Sequence, residues 1–189
     1  MNSNFYKIVV IFTIFFSSAI NAQQKTGKYI KASIGYGISV PYDEVDISGS
    51  GFYVQGEYVI TMSKWFSARP YAGIIITSED KNENQQNLLN YKVTSKALLL
   101  GGKARICAPI PYFAPYLETG LGISAGAFET ITPSTNSNKN GIIMHIPLSI
   151  GLALGKKHKI DFGFTYYYHP SVKQFSGATA LGISFPLND

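Results

Sequence analysis

The stretch YLETGLGISAGAF, residues 116–128, changes character at almost every residue. A period of two is the signature of a β-strand, whose successive side chains point to opposite faces. Leu117, Thr119, Leu121, Ile123, Ala125 and Ala127 share one face, and Tyr116, Glu118, Gly120, Gly122, Ser124, Gly126 and Phe128 share the other. A strand in a water-soluble sheet shows an apolar face to a core and a charged face to solvent. Here the second face is mostly glycine and serine with a single carboxylate. Such a strand needs an apolar medium on its plain side and a cramped interior on its small side.

The same parity recurs along the chain. Strands are expected at about 28–40, 51–62, 65–77, 92–107, 112–129, 141–154, 158–168 and 175–187. Each meets or exceeds the roughly 9–11 residues that a tilted strand needs to cross a bilayer. The connections alternate in length. SK near 63, PIPY near 110 and GKKH near 156 are short, whereas PYDEVDISGSG, SEDKNENQQNLLNY, TITPSTNSNKNG and HPSVKQF are longer and polar. An even number of strands with short turns at one end and long loops at the other is the pattern of an outer-membrane barrel. Charged residues make up only 14% of the chain, against roughly 25% in a typical soluble domain. A lipocalin-like soluble barrel would reverse the faces, with large apolar residues inside and abundant Lys and Glu outside. The fold class expected is therefore all-β: an eight-stranded antiparallel up-and-down transmembrane β-barrel, preceded by a cleaved signal peptide.

The signal is read at the N-terminus. Lys7 supplies a positive start, IVVIFTIFF (8–16) the apolar segment, and Ala22 a small residue before the expected cleavage at Gln23. The apolar run is about half the ~20 residues of a spanning helix. Residues 1–22 are thus expected to be the signal peptide and 23–189 the barrel domain. Beyond the signal no apolar run reaches helical spanning length. The most apolar piece, 141–155, carries Pro147 at its centre and alternates like a strand. Cys107 is the only cysteine, so no internal disulfide forms, and it reads as a small packed residue near a strand end. No His or Cys spacing suggests a metal, no cofactor is expected, and a scattered net charge of +5 gives no nucleic-acid surface.

Parity sends seven charged residues inward: Lys31, Glu57, Arg69, Lys103, Arg105, Glu118 and Asp161. Eight strands enclose only enough room for side chains. These residues are expected to meet as a near-neutral lumen cluster, which argues against a small pore. The 12 Phe, 13 Tyr and single Trp exceed what a helical protein would use. Trp65, Phe66, Tyr112, Phe113 and Phe185 are expected to form an interfacial girdle at the short-turn end. Phe52, Phe128, Tyr166, Tyr168 and Phe175 are expected to form the other girdle near the loops.

APYLETGLGISAG (114–126) resembles the proline-tyrosine and glycine-x-glycine strand of the small OmpA/OmpX-like outer-membrane barrel domain. ALGISFPL (180–187) is similar to that family's closing strand, with Phe185 at the aromatic position that the barrel-insertion machinery is expected to read. The chain departs from the family in continuing Pro-Leu-Asn-Asp beyond Phe185. The resemblance covers about residues 27–187 and implies residence in the outer membrane. It implies contact with outer-membrane lipid and lipopolysaccharide, and a non-enzymatic role in envelope integrity or surface contact. An unknown surface ligand would be held through the extracellular loops. An alternative is a lipid A-modifying barrel enzyme, an acyltransferase or deacylase. The deacylase group is similar at one spot, His169-x-Ser171, expected near the outer surface. A serine nucleophile needs a base and a group orienting that base. The position where a carboxylate would help is Leu181, so His169 reads as a loop histidine before Pro170.

Overall fold

The computed structural model describes residues 26–80 and 91–187. The expected signal peptide, 1–22, lies outside the described residues. Eight strands follow one another: β1 Gly27–Pro41, β2 Gly49–Thr61, β3 Phe66–Glu79, β4 Lys92–Cys107, β5 Phe113–Ile131, β6 Asn136–Leu154, β7 Ile160–Tyr168 and β8 Gln174–Pro186. Each pairs antiparallel with its sequence neighbours, and β1 pairs with β8 from Tyr29↔Pro186 to Pro41↔Gln174, closing the barrel. Closure satisfies the backbone hydrogen bonds within the wall, as a span through hydrocarbon requires. Ladder pairing lapses at two places. One is opposite Pro70, between Glu57↔Tyr71 and Ile60↔Ala68. The other is opposite Pro147, between Thr119↔Leu148 and Gly122↔His145. Proline brings no N–H to the ladder.

The turns at 62–65, 108–112 and 155–159 lie at one end, and the connections 42–48, 132–135 and 169–173 lie at the other. One expectation is corrected here. The long loop read over 130–141 is instead strand: β5 continues to Ile131 and β6 starts at Asn136, leaving four residues between them. Asn, which occurs three times over 136–140, is a poor strand former by propensity. The cross-strand ladder Glu129↔Asn138, Thr130↔Ser137 and Ile131↔Asn136 nevertheless carries these residues in extended form.

The outer wall is apolar and uncovered. Ile142 is 72% exposed, Leu121 63%, Leu117 62% and Ile150 61%. A continuous belt of this kind is unsuited to water and suited to lipid. Trp65, Tyr112, Phe113 and Phe185 are exposed at the short-turn end, and Phe52 and Tyr168 towards the loop end. Phe175 stacks between Phe164 and Tyr166, with centroids 5.9 and 4.7 Å away. Phe128 does not join the girdle. It is 1% exposed and faces the lumen, as its parity with Tyr116 and Glu118 demands.

The barrel lumen as candidate functional site

Alternation along each strand delivers one set of side chains to the interior. Followed along β4 from the short-turn end, that set is Arg105, Lys103, Gly101, Leu99, Ala97 and Ser95. Charge comes first, then apolar groups, then hydroxyls.

All seven charged residues expected inside are buried, none more than 5% exposed. Glu57 accepts from Lys103 Nζ at 2.9 Å and from Arg69 Nη1 at 3.0 Å. Glu118 accepts from Arg105 Nε at 2.6 Å, lies 2.9 Å from Lys103 Nζ and 3.7 Å from Arg69 Nη1. Asp161 pairs with Arg105 Nη1. Lys31 sits more loosely, 3.6 Å from Glu57 and 3.8 Å from Asp161. Every member thus has an opposite charge beside it, which a site withdrawn from water requires. Four cations against three anions leave the cluster one positive charge in excess. The Arg105 guanidinium also lies 3.4 Å from the Tyr116 ring centroid, a cation–π contact. Gly151 makes room for that ring, because a Cβ there would fall 2.4 Å from the Tyr116 hydroxyl. Beside Lys31, Glu57 and Asp161 is a cavity of about 20 Å³, room for about one water.

A layer of amide and phenol covers the charges. Gln55 Nε2 donates to Glu57 at 2.7 Å, and Gln55 Oε1 accepts from Tyr53 and Tyr167, both at 2.8 Å. Above it Tyr71, His145, Ser124 and His169 form a hydrogen-bonded row. Tyr71 OH meets His145 Nε2, while Ser124 Oγ meets His145 Nδ1 at 2.7 Å and His169 Nε2 at 2.9 Å. Gly122 is required beside this row, since a Cβ would stand 2.4 Å from His145 Nε2 and 2.5 Å from Tyr71 OH. Ile75, Ala97, Leu99, Phe128, Val172 and Ala178 form an apolar tier with these rings. A last tier of hydroxyls closes the lumen. Ser39 Oγ bonds Thr77 Oγ1 and Ser95 Oγ at 2.8 Å each, Ser95 bonds Ser176 at 2.9 Å, and Gln174 Nε2 donates to Ser95 at 2.7 Å.

His169 corrects the sequence reading. It is 1% exposed and bonded to Ser124 within the lumen, whereas Ser171 is exposed on the connection that follows. The His-x-Ser surface pair of the enzyme alternative is therefore not assembled, and the loop histidine turns inward and not outward. The inward parity Asp161, Gly163, Thr165, Tyr167 continues to His169, and that signal could have placed it. Ser124 and His145 were on the inward face by the same rule, but nothing local tied them to Tyr71 on β3.

The connections at the loop end are stitched together. Ser48 and Ser50 donate to Asp80, and Thr132 donates to Asp43 while accepting from Thr135 N at 2.9 Å. The hydroxyls of Thr132 and Thr135 hold the Asp43 carboxyl below the usual aspartate range. At the opposite end His158, at φ 48°, sits beneath the turns, and burial pushes its imidazole below the usual histidine range. Cys107, half-buried at the end of β4, lies against the Ala114 carbonyl. Among the described residues no group of three or more His, Cys, Asp or Glu could hold a metal ion, and no helix is long and apolar enough to cross a membrane.

No protein-family model and no curated protein matches the chain. Solved structures do. Neisserial surface protein A superposes with a TM-score of 0.59 at 14% identity, over 86% of this chain and 98% of that one. The outer membrane protein OprG from Pseudomonas aeruginosa superposes with a TM-score of 0.53 at 13% identity, over 88% and 99%. At such identities the likeness is one of fold, and the fold is the closed eight-stranded barrel of small outer-membrane proteins.

Proposed function

We propose that the chain is an integral outer-membrane protein whose plugged barrel is a rigid, non-enzymatic scaffold for its loops, serving envelope integrity or surface contact. The observation that carries this is the pairing of an uncovered apolar outer wall with a lumen filled tier by tier. Ile142, Leu121 and Leu117 are more than 60% exposed, while Leu99 and Ile75 inside are at most 1% exposed. A wall of that kind is solvated by lipid and, in this reading, by the acyl chains of lipopolysaccharide. Residues 1–22 would direct export, and Phe185 would serve the insertion machinery. The salt-bridged cluster acts as a plug that fixes the strands against one another. The Asp43 and Asp80 bonds hold the loop ends in one arrangement, which suits presentation of a contact surface. The lipid A enzyme reading loses its support, because the base it needs is turned away from Ser171 and bonded to Ser124 inside the loop end of the lumen.

Cell fractionation together with liposome swelling tests the proposal. Protein found in the outer membrane, moving differently on a denaturing gel before and after boiling and leaving liposomes impermeable to small sugars, supports it. Rapid swelling would replace the scaffold by a pore. Lipid A altered in acylation only when the protein is present would replace it by an enzyme.

A further inference from the structure

The connection 169–173 does more than join β7 to β8. Pro170, Ser171 and Lys173 are exposed, but His169 and Val172 turn inward and are 1% and 3% exposed. Val172 joins the apolar tier, and the His169 ring lies tilted against Phe128 with centroids 4.6 Å apart. The segment is fastened by few backbone bonds, Val172 N to His169 O at 3.2 Å and Tyr42 N to Lys173 O at 3.3 Å. Its main anchor is therefore the inserted pair of side chains, and one of them is an imidazole.

That imidazole meets a second one. His145 and His169 lie edge to face, centroids 5.6 Å apart, and both bond the same Ser124 hydroxyl. A hydroxyl has one proton to give, so one ring nitrogen accepts it and the other donates its own N–H. Two neutral rings satisfy this arrangement. A proton added to the accepting ring leaves the Ser124 proton without that acceptor and puts a charge in an enclosed tier.

No counter-charge is at hand. From β3 the facing titratable group is Tyr71, from β7 Tyr167, and from β2 Tyr53 behind Tyr167. From β4 it is Lys103, whose ammonium stands 5.3 Å from the Tyr71 ring centroid, and that charge repels a further cation. β5 offers Ser124 and Phe128. Among the described residues no carboxylate contacts either imidazole.

We infer that residues 169–173 form an acid-released lid, in which protonation of the His145–His169 pair expels His169 and Val172 from the loop end of the lumen. Release places the cation in water, where an imidazole titrates near its ordinary value of about 6.5. At pH 5 the freed His169 imidazole then favours the open lid by roughly 30-fold, the factor given by about 1.5 pH units below that value. The Asp43 carboxyl is held below the usual aspartate range, so it stays ionised at that pH and its bonds are not the trigger.

The test measures access to residue 172. Val172→Cys is made in a Cys107→Ala background, reconstituted in lipid, and treated with 4,4′-dithiodipyridine, which reacts with thiols at acid pH. The rate is divided by that of Ser171→Cys, an exposed neighbour whose thiol reports the chemistry alone. Between pH 7.5 and 5 the ratio should rise by about ten- to 30-fold. It should stay flat with His145→Gln and His169→Gln together, since glutamine bonds Ser124 without titrating. Should the double variant fail the heat-shift gel, His169→Gln alone carries the comparison. A ratio unchanged by pH in the parent, or one rising equally in the glutamine variants, overturns the lid.

Discussion

Glu118→Ala is the sharpest perturbation of the lumen cluster. Its carboxylate contacts Arg105 Nε at 2.6 Å and Lys103 Nζ at 2.9 Å, with Arg69 at 3.7 Å, and its side chain is 2% exposed. Removing it takes a cluster of four cations and three anions from an excess of one positive charge to an excess of two. Lys103 keeps Glu57 at 2.9 Å and Arg105 keeps Asp161, so neither is left bare, but Arg105 Nε loses its acceptor. Breaking a buried pair by removing one partner costs about 3–5 kcal/mol. The retained partners, together with a neighbouring cavity that admits about one water, place the expectation near the lower end, ~3 kcal/mol. Urea unfolding in lipid vesicles, followed by the heat-sensitive gel shift and by Trp65 fluorescence, measures it. Leu121→Ala, on the lipid-facing wall, is the control. A double-mutant cycle with Lys103→Met isolates the pair, and the second change should recover part of the loss. A Glu118→Ala protein within about 1 kcal/mol of its parent would show the cluster to be screened by water and not a dry plug.

Three further outcomes follow from the geometry. Asp43, held low by Thr132 and Thr135, contributes stability that is full above the ordinary aspartate value of about 3.9 and is lost as pH falls through its lowered folded value. Amide protection factors at Thr132, Ser134 and Thr135 should therefore fall as pH drops below about 3.9 in the parent, and already be low at pH 6 in Asp43→Asn. His158 is held neutral by burial, so the unfolded chain takes up its proton first and stability falls as pH drops below about 6.5. The urea midpoint should decline from pH 8 to pH 5, and His158→Asn, which tolerates the positive φ, should flatten that decline. Gly122→Ala drives a Cβ to 2.4 Å from His145 Nε2 and should cost about 1–3 kcal/mol by overpacking, read as an earlier thermal shift of gel mobility.

Much of this fold was written in the period of two. Once Leu121 faces outward, Ser124, Phe128 and Thr130 on the same strand must face inward, and the barrel confirms all three as buried. Weighting Phe128 by its chemistry, as a girdle aromatic, and not by its parity produced the one misplaced aromatic. Loop lengths were less legible. Polar composition over 130–141 marks solvent exposure equally well in a loop and in a strand pair standing beyond the apolar belt, and only the ladder to β4 and β5 decides between them. The charge inventory was readable because ionised side chains inside a narrow lumen have to meet. The row Tyr71–His145–Ser124–His169 was not, since its partners lie 21 to 74 residues apart and parity gives direction without neighbours.

The central claim is that one set of alternating side chains faces lipid and the other fills a closed lumen. Methyl NMR of the protein in nanodiscs carrying a nitroxide-labelled lipid tests it without any substitution. The methyls of Leu117, Leu121, Ile150 and Ile183, all more than half exposed, should broaden strongly, while those of Leu99 and Ile75, at most 1% exposed, should keep their intensity. Equal broadening of both sets, or broadening of Leu99 and Ile75 alone, would contradict the assignment of the two faces and with it the barrel's place in the membrane.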